Sequence, residues 1–219
     1  MPEPGVYDRT AAGGFTIGTM SGEITPRLAD LSVLLEPVGP VNVTQNLAGA
    51  RWSKLAINCA ISTLGTIFGG RLGSAMVHRF VRRLALEIMT EVVQVARAEE
   101  VRLQKLAGTI DLDWFALTEQ ERRTRGSVSL AAKHALLLVV GLKYRRLRSS
   151  MLAALERGQV PPVDFLNGEI GSLARVHGLP TPVNDAVVAR IHGLSRGETK
   201  PAHARLFELY RDTADLRAA

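Results

Sequence analysis

Cysteine is almost missing from this sequence: Cys59 is the only one in 219 residues. One thiol cannot build a disulfide framework, so the fold must stand on an apolar core, and a reducing cytoplasm is the simplest setting. Cys59 lies in the apolar stretch LAINCAIS with no histidine nearby. It reads as a small buried hydrophobe rather than a nucleophile. Aromatic residues are scarce as well, at 5%, which leaves few stacking platforms for nucleic acid. The histidines, His78, His134, His177, His192 and His203, are dispersed and show no ligand spacing with carboxylates or with Cys59, so no metal site is expected. Long apolar runs are also lacking. The run from Ala135 to Val140 follows Lys133 and His134 and falls well short of a membrane span. The first residues, MPEPGVYDRTAAGGF, hold no apolar signal-peptide core.

What remains is an ordinary globular composition, 46% hydrophobic and 22% charged, and the length suits one large domain, or one with a partial second. The formal net charge is +6. The basic residues are scattered along helices, which usually means a solvated surface. The run KYRRLR (143–148) could serve a nucleic-acid binder, but no helix-turn-helix or finger spacing accompanies it. The glycine clusters GGFTIG and FGGRLG fit neither a dinucleotide-binding loop nor a P-loop. They are a turn and a helix stop.

The chain changes texture near residue 45. Before it, GGFTIGTM (13–20) reads as a strand, RLADLSVLLEPVG (27–39) as a helix with Leu28, Leu31, Leu34 and Leu35 on one side, and PVNVTQ (40–45) as a second strand. Three small elements cannot close a core alone. After it the pattern is helical. Asn46 can cap a helix that runs to Phe68 and stops at Gly69-Gly70. A helix over 74–100 puts Met76, Val77, Phe80, Val81, Leu84, Ile88, Val92 and Val95 on its apolar face, with Arg79, Arg82, Arg83, Glu87 and Glu91 largely opposite. The apolar segment 127–142 is expected to be a central helix. Residues 164–177 form another, and Thr181-Pro182 offers a cap and first turn for the next. A linker (194–202) and a short polar tail helix end the chain.

One helix carries an unusual polar row. In WSKLAINCAISTLG, Lys54, Asn58 and Ser62 stand four residues apart on an otherwise apolar helix. Spacing alone leaves two readings open: a surface helix with an exposed lysine, or a ligand-facing stripe in which Lys54 gives a proton or meets an anion.

KLAINCAISTL (54–64), EVVQVARAEEVRL (91–103), SSML (149–152), VDFLNGEI (163–170) and HGLPTPVNDAV (177–187) occur in that order, and PGVYDRTAAGGFTIG precedes them. Together they resemble the C-terminal half of the ketopantoate reductase (2-dehydropantoate 2-reductase) family over about residues 4–193. The resemblance implies a mainly α fold, a helical domain like that of 6-phosphogluconate dehydrogenase, preceded by a short α/β remnant of a Rossmann domain. It divides the chain into residues 1–45 (remnant), 46–193 (substrate-binding and dimerisation domain) and 194–219 (linker and tail helix). It implies an NADPH-dependent reductase of a small 2-keto acid, in pantothenate biosynthesis, that pairs as a homodimer. Lys54 matches the family's proton donor to the ketone oxygen. Asn58 and Ser150 match substrate-binding residues. Ser62 stands where the family has a second asparagine, and is a weaker contact; Arg148 could supply charge for a different acid.

The departures carry their own expectations. Ala154 replaces an aspartate, and Pro162 replaces the family's substrate-binding glutamate. Proline offers no side-chain acceptor and no N–H, so a substrate other than ketopantoate is expected. The family's nucleotide loop lies much farther upstream than the 53 residues preceding Lys54 allow. The expectation is therefore a truncated or mis-started form, or a split enzyme whose other half is a separate Rossmann-domain chain, that binds no NADPH and reduces nothing alone; its partner is a second copy or that separate chain. A non-catalytic helical interaction module is the alternative. No nucleic acid and no membrane are expected as partners.

Overall fold

A computed structural model describes Gly5 and residues 13–105, 111–123 and 126–215. Most of the segment preceding the first strand, in which the PGVYDRTAAGG motif falls, lies outside the described residues. The chain opens with β1 (Phe15–Ile17), α1 (Pro26–Leu35) and β2 (Val41–Val43). The two strands pair in parallel, Phe15 opposite Val41 and Ile17 opposite Val43, with α1 as their crossover. Both strands are shorter than the sequence suggests. Of the leucines expected to face one side of α1, Leu28 is buried, whereas Leu31 is 42% and Leu34 73% exposed. Two strands offer too little sheet to cover a whole helix face.

The remainder is helical: α2 (Leu47–Phe68), α3 (Leu72–Met76), α4 (Arg79–Ala98), α5 (Leu112–Phe115), α6 (Glu119–Arg123), α7 (Val128–Lys143), α8 (Ser150–Glu156), a π-helical turn (Asp164–Gly168), α9 (Glu169–Val176), α10 (Pro182–Ser195) and α11 (His203–Asp212). The helix expected over 74–100 is broken at Val77-His78 into α3 and α4. The Arg82 guanidinium donates to the carbonyls of Met76 and Val77 and thereby closes the end of α3. The core forms where α2 crosses α4, with Ala56, Cys59, Leu64, Val81, Leu84, Ile88, Val92 and Val95 all fully buried. Gly69 ends α2 at φ 77°, a left-handed position that glycine adopts without Cβ strain. Gly141 of α7 lets α3 approach, since a Cβ there would lie 2.5 Å from Cβ of Met76.

Three expectations fail here, for one reason: pattern along one helix does not show what its neighbours bring. α7 is not central. Leu130, Leu137 and Gly141 face the core, while Leu136, Val139 and Leu142 are exposed. Glu87 and Glu91 are not on a solvated face, being 1% exposed each. Arg83 from the previous turn and Arg122 from α6 pair with Glu87 at 2.7 and 3.6 Å. The tail helix α11 is not merely polar: Leu206 and Leu209 are fully buried, and it packs on α2 and α4. Residues 111–123, unassigned from sequence, form the short helices α5 and α6. Lys133 of α7 fixes them from beneath, 2% exposed, with Nζ 2.6 Å from Glu121 Oε2 and 2.9 Å from the Ala116 carbonyl.

Candidate active site

The Lys54–Asn58–Ser62 row is built by a helix whose ends are fixed as the sequence suggests. Asn46 Oδ1 accepts the Gly49 N–H at 2.9 Å, and Asn46 Nδ2 donates to the Arg102 carbonyl at 2.8 Å, so the cap also ties α2 to the segment that follows α4. Along α2 the inward positions Ser53, Ala56, Cys59, Ala60 and Thr63 are buried. Lys54 is therefore turned outward and is exposed, with Asn58 and Ser62 half-buried behind it. Lys54 has no hydrogen-bond or ion-pair partner among the described residues. Its ammonium is available to a ligand.

Ser149 joins the other end of the row. Its hydroxyl donates to the Ser62 carbonyl at 2.7 Å, lies 2.9 Å from Thr66 Oγ1, and accepts the Leu152 N–H at 3.3 Å. One buried hydroxyl thus caps α8 and pins it to α2. Ser150, the next residue, is left exposed. The structure brings Ser150 to the Ser62 end of the row and leaves Lys54 at the opposite end, ~12 Å along the helix for eight residues. Asn58 stands between them. Lys54, Asn58 and Ser62 share one outward face of α2, and Ser149 sets the start of α8 at its Ser62 end; among the described residues no direct contact joins Lys54 to Ser150.

Beneath this face lies a polar layer that sequence reasoning missed. Asn167 Nδ2, on the π-helical turn, donates to the carbonyl of Cys59 at 3.3 Å and to Asn184 Oδ1 at 2.8 Å. Asn184 Nδ2 in turn donates to Glu91 Oε2 at 2.6 Å and to the Ile88 carbonyl at 3.3 Å. The two Glu91 oxygens accept the N–H groups of Val183 and Asn184 at 2.9 Å each, capping α10 from across the core. Thr181, expected to be that cap, makes no capping bond and its hydroxyl turns to Asp185 instead. Glu91, Asn167 and Asn184 are 0–1% exposed. Burial raises the Glu91 carboxyl to about 7, against the pull of the three N–H donors. No local signal marked Glu91, because its partners lie 92 and 93 residues away. The Asn167 position could have been suspected from VDFLNGEI, which was already notable as a block.

Burial also pushes the Cys59 thiol up to about 12, which keeps it an inert core group, as its setting suggests. Pro161 is buried and Pro162 is exposed at the start of the π-helical turn, and Phe165 is 82% exposed on the same turn. No carboxylate occupies the Pro162 position. Arg148, within the exposed basic run, pairs with Glu156 at 2.7 Å. No cluster of three metal-ligating side chains exists among the described residues, and none of their helices is long and apolar enough to cross a membrane.

The start of α1 is not built as a phosphate loop. The β1–α1 connection is the place for a phosphate loop in an α/β unit. Here α1 opens with Thr25, whose side chain occupies the Leu28 N–H, and with Pro26, which has no N–H to give.

A family model described as the C-terminal domain of ketopantoate reductase PanE/ApbA matches residues 46–195. The chain is similar to a 2-dehydropantoate 2-reductase of Pyrococcus horikoshii, 24% identical over 84% of this chain and 53% of that protein. It thus spans about half the length of the curated relatives it matches. Among solved structures it resembles a PanE/ApbA family ketopantoate reductase from Ralstonia eutropha, with a TM-score of 0.65 and 24% identity over 86% of this chain and 53% of that one. A D-mandelate dehydrogenase, solved with NADH and anilino(oxo)acetate, gives a TM-score of 0.66 at 15% identity, covering 87% of this chain and 69% of that one. A dimeric ketopantoate reductase from Staphylococcus aureus gives 0.54 at 18% identity, covering 81% and 54%.

Proposed function

Because the chain belongs to the ketopantoate reductase PanE/ApbA C-terminal family, we propose that it supplies the substrate-facing half of an NADPH-dependent 2-keto acid reductase and pairs with a second copy. The observation that carries this reading is the outward row on α2, with Lys54 unpaired among the described residues, closed at its far end by the Ser149-Ser150 turn. Lys54 is the general acid. As negative charge develops on the carbonyl oxygen, a free ammonium stabilises it and delivers a proton. Asn58 fixes the carbonyl or a neighbouring hydroxyl. Ser150 and, more weakly, Ser62 hold the carboxylate. The nucleotide is held mainly by an α/β domain of which residues 1–45 form the last part, 46–193 being the helical domain and 194–219 its tail. Residues 13–215 are expected neither to bind NADPH nor to turn over a keto acid without that domain.

The substrate is a 2-keto acid with a more apolar side chain than ketopantoate. Pro162 and the bare ring of Phe165 replace a carboxylate on the turn that Asn167 ties to α2. The dehydrogenase of similar fold that takes an aryl acid supports this choice.

The test is reconstitution. The cofactor half of a ketopantoate reductase, supplied in trans or fused ahead of residue 13, is mixed with this chain, and NADPH oxidation is followed over ketopantoate and apolar 2-keto acids. The apolar acids are expected to turn over faster, and Lys54→Met should lower kcat by two orders of magnitude or more with folding unchanged, the range of a lost general acid. Turnover indifferent to Lys54→Met would overturn the reading, and would leave the chain as a helical interaction module.

A further inference from the structure

The outer side of α7 carries an unusual set of side chains. Val128, Ala132, Ala135, Val139 and Leu142 are all exposed, Val128 at 90%, Val139 at 58% and Leu142 at 54%. Their spacing is four, three, four, three. That rhythm makes a straight seam for lengthwise packing on another helix. Leu130, His134, Leu137 and Gly141 occupy the opposite side and are buried. The core thus takes one face of α7, and the seam is left over. With Leu136 and Ala131 beside it, also exposed, the strip presents on the order of 500 Å² of apolar surface, at the upper end of what monomers leave bare and a large share of the ~800 Å² per partner of a standard interface.

We propose that this seam is the contact between two copies of the chain, α7 against α7, antiparallel about a two-fold axis at Ala135. The proposal rests on the homodimer put forward above and names its surface. The side chains suit this register. Ala135 meets its own copy on the axis, where a small residue permits close approach. Val128 then faces Leu142 of the partner subunit, and Val139 faces Ala131 of the partner subunit, large against small. An isologous contact needs such self-complementarity. Charge selects the direction. Lys143, Arg145 and Arg146 follow the seam at its C-terminal end and are exposed. Parallel helices would stack both sets together, whereas antiparallel ones hold them ~24 Å apart over sixteen residues.

Sedimentation and light scattering of the full chain decide it, together with cysteine crosslinking, for which buried Cys59 is silent. The chain is expected to be a dimer. Val139→Glu and Leu142→Glu should each give monomers of unchanged helicity. Ala135→Cys should oxidise to a disulfide-linked dimer, because the axis brings its copies within the ~7 Å Cα separation a disulfide tolerates. Val128→Cys should not, since its copies stand at opposite ends. If the chain is dimeric but Val139→Glu stays dimeric and Ala135→Cys stays unlinked, the seam is overturned while the homodimer survives. A monomer at every concentration tested removes both. A monomer that binds anionic phospholipid vesicles and loses them on Val139→Glu assigns the strip to a membrane surface instead, and also overturns the proposal.

Discussion

Glu91 shows how one side chain can act far from where its sequence context places it. Its neighbours suggest an ordinary charge on an amphipathic helix, yet its carboxyl caps α10 and anchors the Asn184–Asn167 chain beneath the candidate site. Because burial raises its folded value from 4.5 to about 7, the native state holds its proton more tightly than the unfolded chain does. Whatever stability this group contributes is therefore present below about 4.5 and falls as pH rises to about 7. Glu91→Gln should remove that slope. The melting temperature of the parent minus that of Glu91→Gln is expected to decrease from pH 4.5 to 7 and then level off. A flat difference would mean that the three N–H donors already offset burial.

At the scale of elements, helix ends and helix contacts tell different stories. α2 is set by signals within reach of its own backbone: an asparagine cap, an unbroken apolar pattern and a left-handed glycine stop. α5, α6 and α7 are joined instead by one buried ion pair, Lys133 with Glu121, 2% and 5% exposed. Removing one partner of such a pair strands a buried charge, which costs about 3–5 kcal/mol. Lys133→Met should therefore lower the midpoint of urea unfolding strongly. Lys133→Met with Glu121→Gln should recover most of the loss, because the amide is neutral and still accepts the Thr118 N–H that Glu121 now accepts at 2.9 Å. If the double variant is no better than the single one, packing of the lysine stem rather than charge holds these helices. Ser149 belongs to the same scale, since one hydroxyl both caps α8 and fixes it on α2.

Across the whole molecule, order is unevenly distributed. The helical core is continuous from α2 and α4 to α10 and α11, whereas β1, α1 and β2 form a sheet of two three-residue strands covered by a helix with Val33 and Leu34 bare. Two strands make a marginal sheet, and open edges invite a further strand. Hydrogen exchange should show this. Amides of Thr16 and Asn42 are expected to exchange by local opening, far faster than those of Leu84, Ile88 and Val92 in α4, whose protection should approach the global stability. Adding the cofactor half should slow the strand amides selectively. Equal protection in both regions of the isolated chain would show that the small α/β unit is held as firmly as the core.

The sequence by itself determined the helical character of the chain beyond residue 46, the caps of α2, the burial of Cys59 and the placing of Lys54, Asn58 and Ser62 on one face, because each follows from contacts within a few residues or from a helical period. It did not reveal the burial of Glu87, Glu91 and Lys133, the capping of α10 from across the core, or the outward turn of α7. Those depend on which distant segment fills the space beside a helix. A charge looks solvated until its partner arrives from 92 residues away, and an apolar helix looks central until its neighbours take only one of its sides. Tertiary packing made those choices, by pairing buried charges and by leaving one greasy stripe without cover.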